Sequence, residues 1–134
     1  MRRSTLLVLA LTLACGESPT APTSGCSDFS GIWDVTNQGS CPNNNYSSVW
    51  ELQQEGCTVH SRVIPDVPSV TGTAQGSTIS LAMSNGFTSC LYQLAGNGRL
   101  DGQTVRATLS GRVSGPCCPT RTDDTVQVVA VRRR

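Results

Sequence analysis

The seven cysteines are the residues of this sequence with the widest choice of chemistry. They occur in a chain of 134 residues, at positions 15, 26, 41, 57, 90, 117 and 118. Cysteines at this density can form disulfides, bind a metal or carry a lipid. Zinc sites usually space paired cysteines by at least two residues, whereas Cys117 and Cys118 are adjacent and His60 is the only histidine. We therefore expect disulfides in an oxidising compartment, with no metal and no cofactor.

No group of residues has the spacing of a catalytic site. His60 falls between Val59 and Ser61, on the outward side of a predicted strand. The carboxylates are scattered along the chain, and no glycine-rich loop precedes a predicted helix. The sequence therefore predicts a protein that is not an enzyme.

The charge composition excludes several classes of protein. Charged residues make up 14% of the chain, against about 25% in an average soluble protein. All ten basic residues are arginine and nine residues are acidic, which leaves no basic field that would attract nucleic acid. A coiled coil, a charged disordered tail and a nucleic-acid partner are therefore not expected.

Residues 1–14 have the pattern of a signal peptide. Arg2 and Arg3 precede an apolar run at 6–13, which is too short to span a bilayer. The run ends in Ala14-Cys15, which resembles the lipobox of bacterial lipoproteins, in which the cysteine becomes the lipidated N-terminus. Thr12 and Leu13 depart from that pattern, so cleavage by ordinary signal peptidase is the alternative. The resemblance implies lipidation at Cys15 and a membrane anchor.

Residues 15–25 contain no large apolar side chain and are rich in Pro, Ser, Thr and Gly. Such a segment cannot bury enough surface to offset the entropy of ordering, so it is expected to be a flexible tether. The remaining residues, 26–134, form one domain. This organisation predicts a protein of the bacterial cell envelope, periplasmic or on the outer surface, or alternatively a secreted one.

The domain alternates apolar and polar residues, with turn residues at regular spacing, and has no helical period. Strands are predicted at about 31–36, 46–54, 57–63, 69–73, 77–83, 88–96, 103–112 and 124–132. Strands of this length, joined by short connections, favour an all-β fold: a small antiparallel up-and-down barrel of about eight strands, stapled by disulfides. Residues 72–81 resemble residues 98–107, which indicates a repeated hairpin around a glycine turn.

The two ends of the predicted barrel domain resemble calycins, the group that contains lipocalins and avidins. Gly31-Ile32-Trp33 opens the first strand and Arg132 lies near the end of the last. The resemblance implies that Trp33 closes one end of the barrel with the Arg132 guanidinium packed across its ring. The alternative is that Trp33 is ordinary core and the arginines form a solvated tail. Biotin binding is not carried over, because avidin pockets use several tryptophans and only Trp33 and Trp50 are present.

The predicted meander sorts the cysteines between the two ends of the barrel. If Cys15 is lipidated, six cysteines remain, and tracing alternate loops places Cys26 and Cys57 at the lower end. The other four fall at the upper end. Bonded cysteines need Cα atoms within about 7 Å of each other. The prediction is therefore a Cys26–Cys57 bond, with Cys41 and Cys90 each joined to one of Cys117 and Cys118.

Two long loops, 37–45 and 113–123, share the upper end of the predicted barrel. They form either a preorganised binding surface or a plug for the barrel. We therefore expect a monomeric, lipocalin-like protein that binds a small apolar ligand inside or a protein partner at its mouth. The alternatives are a barrel-type inhibitor of a protease or lysozyme, and a structural envelope lipoprotein.

Overall fold

A computed structural model describes residues 25–65, 67–84, 90–116 and 118–134, and only the backbone of Asn43. The expected signal peptide, Cys15 and the tether up to residue 24 lie outside these ranges, as does Cys117. Within the described ranges, no helix is long and apolar enough to cross a membrane.

Eight antiparallel strands form a closed barrel, which confirms the predicted fold class. Each strand pairs with the next along the chain, and β8 returns to pair with β1. The strands are β1 (Gly31–Gly39), β2 (Tyr46–Glu55), β3 (Thr58–Ser61), β4 (Ser69–Gln75), β5 (Thr78–Ser84), β6 (Leu91–Asp101), β7 (Thr104–Ser114) and β8 (Asp123–Arg132). A short 3-10 helix, Pro42–Asn44, lies between β1 and β2.

A two-residue alternation places the core inside the barrel. In β5, Ile79, Leu81 and Met83 are buried while the residues between them are exposed. Successive side chains of a strand point to opposite faces, so each strand presents one set of residues to the interior. The three apolar side chains of the strand predicted at 77–83 therefore form part of the core.

The two glycine turns of the repeated segment adopt the same backbone conformation. Gly76, between β4 and β5, has φ of 56°, and Gly102, between β6 and β7, has φ of 58°. Glycine adopts positive φ without the steric cost that a side chain imposes. The local repeat therefore corresponds to two equivalent tight hairpins.

The predicted bounds of the third strand are wrong. β3 ends at Ser61, and Val63, which falls within the predicted strand at 57–63, is 82% exposed. The Ser61 hydroxyl accepts a hydrogen bond from the Val70 N–H at 2.8 Å, which holds the chain where it leaves the sheet. Pro65 and Pro68 follow, and proline cannot donate to a ladder. The apolar alternation therefore continues in sequence beyond the point where strand pairing stops.

The lower end of the barrel, where β1 begins and β8 ends, is closed by Trp33. Its side chain is fully buried, and its indole N–H donates to the Phe29 carbonyl at 3.0 Å. The Arg132 Cζ atom lies 4.6 Å from the centre of the indole ring, in the contact expected from the calycin resemblance. Gly31, beside the Arg132 side chain, has φ of 118°, a backbone conformation that glycine adopts more readily than other residues.

Residues 25–30 cross this lower end and are fixed to it by a disulfide. Cys26 is bonded to Cys57, as expected from the meander, with 5.8 Å between their Cα atoms. Next to the bond, the Ser27 N–H donates to the Gly76 carbonyl at 2.8 Å. Phe29 is thereby held as a plug beneath the core.

Removing the lower disulfide should weaken the fold substantially. Replacing both Cys26 and Cys57 by serine is expected to lower the free energy of unfolding by about 2–4 kcal/mol, because the unfolded chain loses a cross-link. Urea unfolding of the double variant and of the unreduced protein measures this difference. An unchanged midpoint would show that hydrogen bonds alone hold the segment in place.

Candidate functional site at the upper end of the barrel

Asp124 organises the upper end, where β1 ends and β8 begins. Its carboxylate is buried and accepts hydrogen bonds from the N–H groups of Ser40 at 2.9 Å and Cys41 at 3.1 Å. The Asn44 amide and the Thr125 N–H also donate to it. One carboxylate at the start of β8 therefore holds the loop between β1 and β2 over the barrel mouth.

The pKa of Asp124 reflects two opposing effects. Burial raises the pKa of the carboxyl, but the hydrogen bonds from Asn44, Cys41, Ser40 and Thr125 outweigh burial and leave the pKa below its ordinary value of 3.8. The group is therefore ionised at neutral pH, and its charge is satisfied by four donors.

A disulfide fixes the same loop from the other side. Cys41 is bonded to Cys118, with 5.1 Å between their Cα atoms, and both are buried. This resolves the choice that the sequence left open for Cys41. Cys90 is also disulfide-bonded, but Cys117, the partner that the prediction leaves for it, lies outside the described residues.

Beneath this loop, three polar side chains share the inward face of the β1–β2 hairpin. Asn37 lies directly opposite Tyr46 in the ladder, and Ser48 lies opposite Val35. Since inward positions recur at every second residue, Asn37, Tyr46 and Ser48 are neighbours on one face. They form a polar cluster where the core of a small barrel is usually apolar.

The polar atoms of this cluster have no hydrogen-bond partner in the protein. Within the described residues, the buried side-chain atoms without a hydrogen-bond partner are both amide atoms of Asn37, the Tyr46 hydroxyl, the Ser48 hydroxyl, the Asn44 carbonyl oxygen and, at the opposite end of the barrel, Arg132 Nε. A buried polar group without a partner costs about 1–3 kcal/mol. Four of these six atoms belong to the three side chains of the polar cluster, which makes the cluster a candidate place to bind a polar group from another molecule.

The phenol of Tyr46, which belongs to the cluster, and the phenol of Tyr92 remain protonated at neutral pH. Burial raises the pKa of Tyr46 to about 12, and the neighbouring Tyr92 adds to the rise. Burial also raises the pKa of Tyr92, followed by the effect of the negative charge on Asp124. The Tyr46 hydroxyl can therefore both donate and accept a hydrogen bond.

Apolar side chains surround the polar cluster. Val128 of β8 lies opposite Asn37, and Ala130 lies opposite Val35. Trp50 lies opposite Trp33, so the indole that closes the lower end has a second indole beside it. The polar cluster therefore has apolar residues of the core as its cross-strand neighbours.

The sequence analysis missed Tyr46, Ser48 and Asp124 as site residues, and it placed Asn37 in the upper loop at 37–45, whereas the structure places Asn37 in β1, which extends to Gly39. Asn37 continues the inward series of Trp33 and Val35, and Ser48 precedes the buried Trp50 with the same phase. A polar residue in phase with the core was therefore the available signal. No comparable signal marks Asp124, whose loop partners lie 80 to 84 residues away.

The other chemistry-bearing residues do not converge on this site. His60 is partly exposed, and its Nε2 atom lies 3.2 Å from the side-chain oxygen of Gln53. In the part of the chain that the structure describes, no group of three or more His, Cys, Asp or Glu residues could hold a metal.

The closed antiparallel barrel is compatible with the calycin resemblance at Gly31, Trp33 and Arg132. That agreement concerns the architecture and the closure of the lower end. Barrels with the same architecture can bind many different ligands and partners, so the agreement does not identify a function. The residues that bear on function are therefore those at the upper end of the barrel. No family model, no curated protein and no solved structure matches this chain.

Proposed function

We propose that this protein is a non-catalytic binding barrel that holds one small, uncharged ligand in its upper half. The observation that supports the proposal is the set of unpartnered polar atoms of the polar cluster, Asn37, Tyr46 and Ser48, together with the unpartnered side-chain oxygen of Asn44 in the loop above it. A ligand whose polar end meets these atoms would satisfy them together. The sequence predicts a small apolar ligand, and the polar cluster adds the expectation that this ligand has a polar head group.

The chemistry of the cluster favours a neutral head group with both donors and acceptors. Within the described residues, the buried polar side chains are Asn37, Asn44 and Asp124, and the Asp124 carboxylate is already bonded to four donors. Moving a charged group into this site without an opposite charge would carry a large desolvation cost. A primary amide fits, because its carbonyl can accept hydrogen bonds and its NH2 group can donate them.

The cellular setting belongs to the same proposal. The pattern at Ala14-Cys15 supports a lipid anchor at Cys15, followed by a flexible tether at 15–25. The barrel would then act as a monomer at a bacterial envelope surface, without nucleic acid as a partner. A secreted form cleaved by ordinary signal peptidase would carry the same binding site.

The test compares two probes that differ in their head group. Octanamide and octanoate have the same apolar chain, and calorimetry measures their binding to the protein. We expect octanamide to bind and octanoate to bind more weakly. Replacing Ser48 by alanine should weaken octanamide binding about 3- to 10-fold, the loss of one hydrogen bond. Ser47→Ala is the matched control, because Ser47 is exposed on the same strand.

The stability of the unliganded variants provides a second readout. Since the Ser48 hydroxyl has no partner in the protein, Ser48→Ala should keep or increase the free energy of unfolding. Equal binding of the two probes, or equal weakening by Ser47→Ala, would contradict the proposal. The inhibitor alternative places its working surface outside the barrel and predicts that neither probe binds at Ser48.

A further inference from the structure

Two arginines face each other on the outside of the barrel. Arg99 of β6 lies directly opposite Arg106 of β7 in the ladder, and both side chains are exposed. Side chains paired in this way have Cβ atoms about 5 Å apart, and like charges so placed repel each other. This pair therefore gains stability from any negative charge that binds between the two guanidinium groups.

The two arginines line a concavity on the outer face of β6, β7 and β8. Its volume is about 520 Å³, and Asn97, Thr108 and Gln127 lie along it beside the arginines. None of its ten lining residues is Asp or Glu. An anion in this concavity would therefore meet no repelling carboxylate in its lining.

The neighbouring amides contribute donors to the same concavity. The side-chain oxygen of Asn97 accepts a hydrogen bond from Ser80 at 3.0 Å, and that of Gln127 accepts one from Thr108 at 2.9 Å. Because the side-chain oxygens of Asn97 and Gln127 already accept these bonds, their amide NH2 groups are the parts left to donate to a ligand. The concavity therefore presents two guanidinium groups and two side-chain amide NH2 groups, all of which are hydrogen-bond donors.

The arginines of the described residues differ in whether they are paired. Arg62, Arg132 and Arg133 each form an ion pair with a carboxylate. Within the described residues, the other arginines have neither an ion pair nor a side-chain hydrogen bond. Arg99 and Arg106 differ from the rest of that second group because they lie directly opposite each other in the ladder.

We propose that this concavity binds a phosphate group, through Arg99 and Arg106 with support from Asn97 and Gln127. The planar guanidinium donates two parallel hydrogen bonds to phosphate oxygens, and two such groups can grip one phosphate from opposite sides. The phosphate could be inorganic phosphate or the head group of a phospholipid, and the experiment distinguishes these sources. The site is on the outer surface and is independent of the proposed interior ligand.

The first arm of the test is a titration with inorganic phosphate at constant ionic strength, followed by NMR of the arginine side-chain N–H groups. All variants carry Cys15→Ser so that an attached lipid cannot contribute. We expect saturable shifts at Arg99 and Arg106, and binding at least about tenfold weaker in the Arg99→Gln/Arg106→Gln variant. The matched control is Arg62→Gln/Arg121→Gln, which removes the same charge elsewhere and should bind as the parent does.

The second arm uses vesicles of phosphatidylcholine with and without phosphatidic acid. Binding only to vesicles with phosphatidic acid, lost in Arg99→Gln/Arg106→Gln and kept in the control, would identify a lipid head group as the source. Saturable binding in the first arm alone would identify free phosphate. Absence of binding in both arms, or equal loss in the two double variants, would overturn the proposal, since equal loss reports general surface charge.

Discussion

Replacing Asp124 by asparagine is expected to lower the free energy of unfolding by about 2–4 kcal/mol. Each carboxylate oxygen accepts two hydrogen bonds: one from Ser40 and Thr125, the other from Cys41 and Asn44. Asparagine keeps one oxygen as an acceptor, but its amide NH2 group faces the other two donors. Those two buried donors are then left without an acceptor. Urea unfolding measured by circular dichroism gives the difference.

Asp123→Asn is the matched control for this change. Asp123 is the exposed neighbour of Asp124, so its substitution should change the unfolding free energy by less than about 0.5 kcal/mol. Equal effects of the two substitutions would show that the loop is held by the Cys41–Cys118 disulfide and not by the carboxylate.

The same hydrogen bonds make the effect depend on pH. Because the pKa of folded Asp124 is below 3.8, its stabilisation is complete above that pH and is lost as pH falls toward the lower folded value. The difference between the parent and Asp124→Asn should therefore shrink below about pH 4. Asp28 and Asp34, whose pKa values are also lowered, are present in both proteins and do not affect the difference.

Replacing Trp33 by alanine should cost about 3–5 kcal/mol at the opposite end of the barrel. The substitution leaves a cavity under Arg132 and removes the hydrogen bond from the indole to the Phe29 carbonyl. A loss of this size is a large part of the total stability of a small domain, which is about 5–15 kcal/mol. Trp50 remains as the fluorescent reporter for urea unfolding.

Two further variants separate the contributions of Trp33. Trp33→Phe keeps an aromatic ring beneath Arg132 but cannot donate to Phe29, so its stability should fall between those of the parent and Trp33→Ala. Arg134→Gln removes an exposed charge at the same end and should leave stability unchanged. A Trp33→Ala protein as stable as the parent would assign closure to the Cys26–Cys57 disulfide and Phe29 alone.

The two ends of the barrel differ in what fills them. Trp33, Phe29 and the lower disulfide close one end with apolar packing and a hydrogen bond from the Trp33 indole to the Phe29 carbonyl. Asn37 and Ser48 leave polar atoms unpaired near the other end, at a cost to the unliganded protein. Positions that cost stability and hold a specific geometry are typical of binding sites, since function can oppose stability there.

The barrel and its lower end were predictable because they rest on local patterns. Alternation in β5 and the glycines at 76 and 102 establish strands and turns from neighbouring residues. The Cys26–Cys57 bond followed because an up-and-down meander brings alternate turns to the same end. The end of β3 could not be predicted, because Val63 continues the apolar alternation in sequence although the strand ends at Ser61 and Val63 is exposed.

The sequence by itself determined an all-β chain whose apolar residues line one face of every strand, and which cysteines lie at each end. Only the tertiary structure decided that Cys41 bonds Cys118, that Asp124 holds the mouth loop, and that Arg99 faces Arg106. The physical reason is register. A one-residue shift between strands changes every cross-strand neighbour while leaving the alternation of each strand intact, so only the closed barrel specifies which side chains meet.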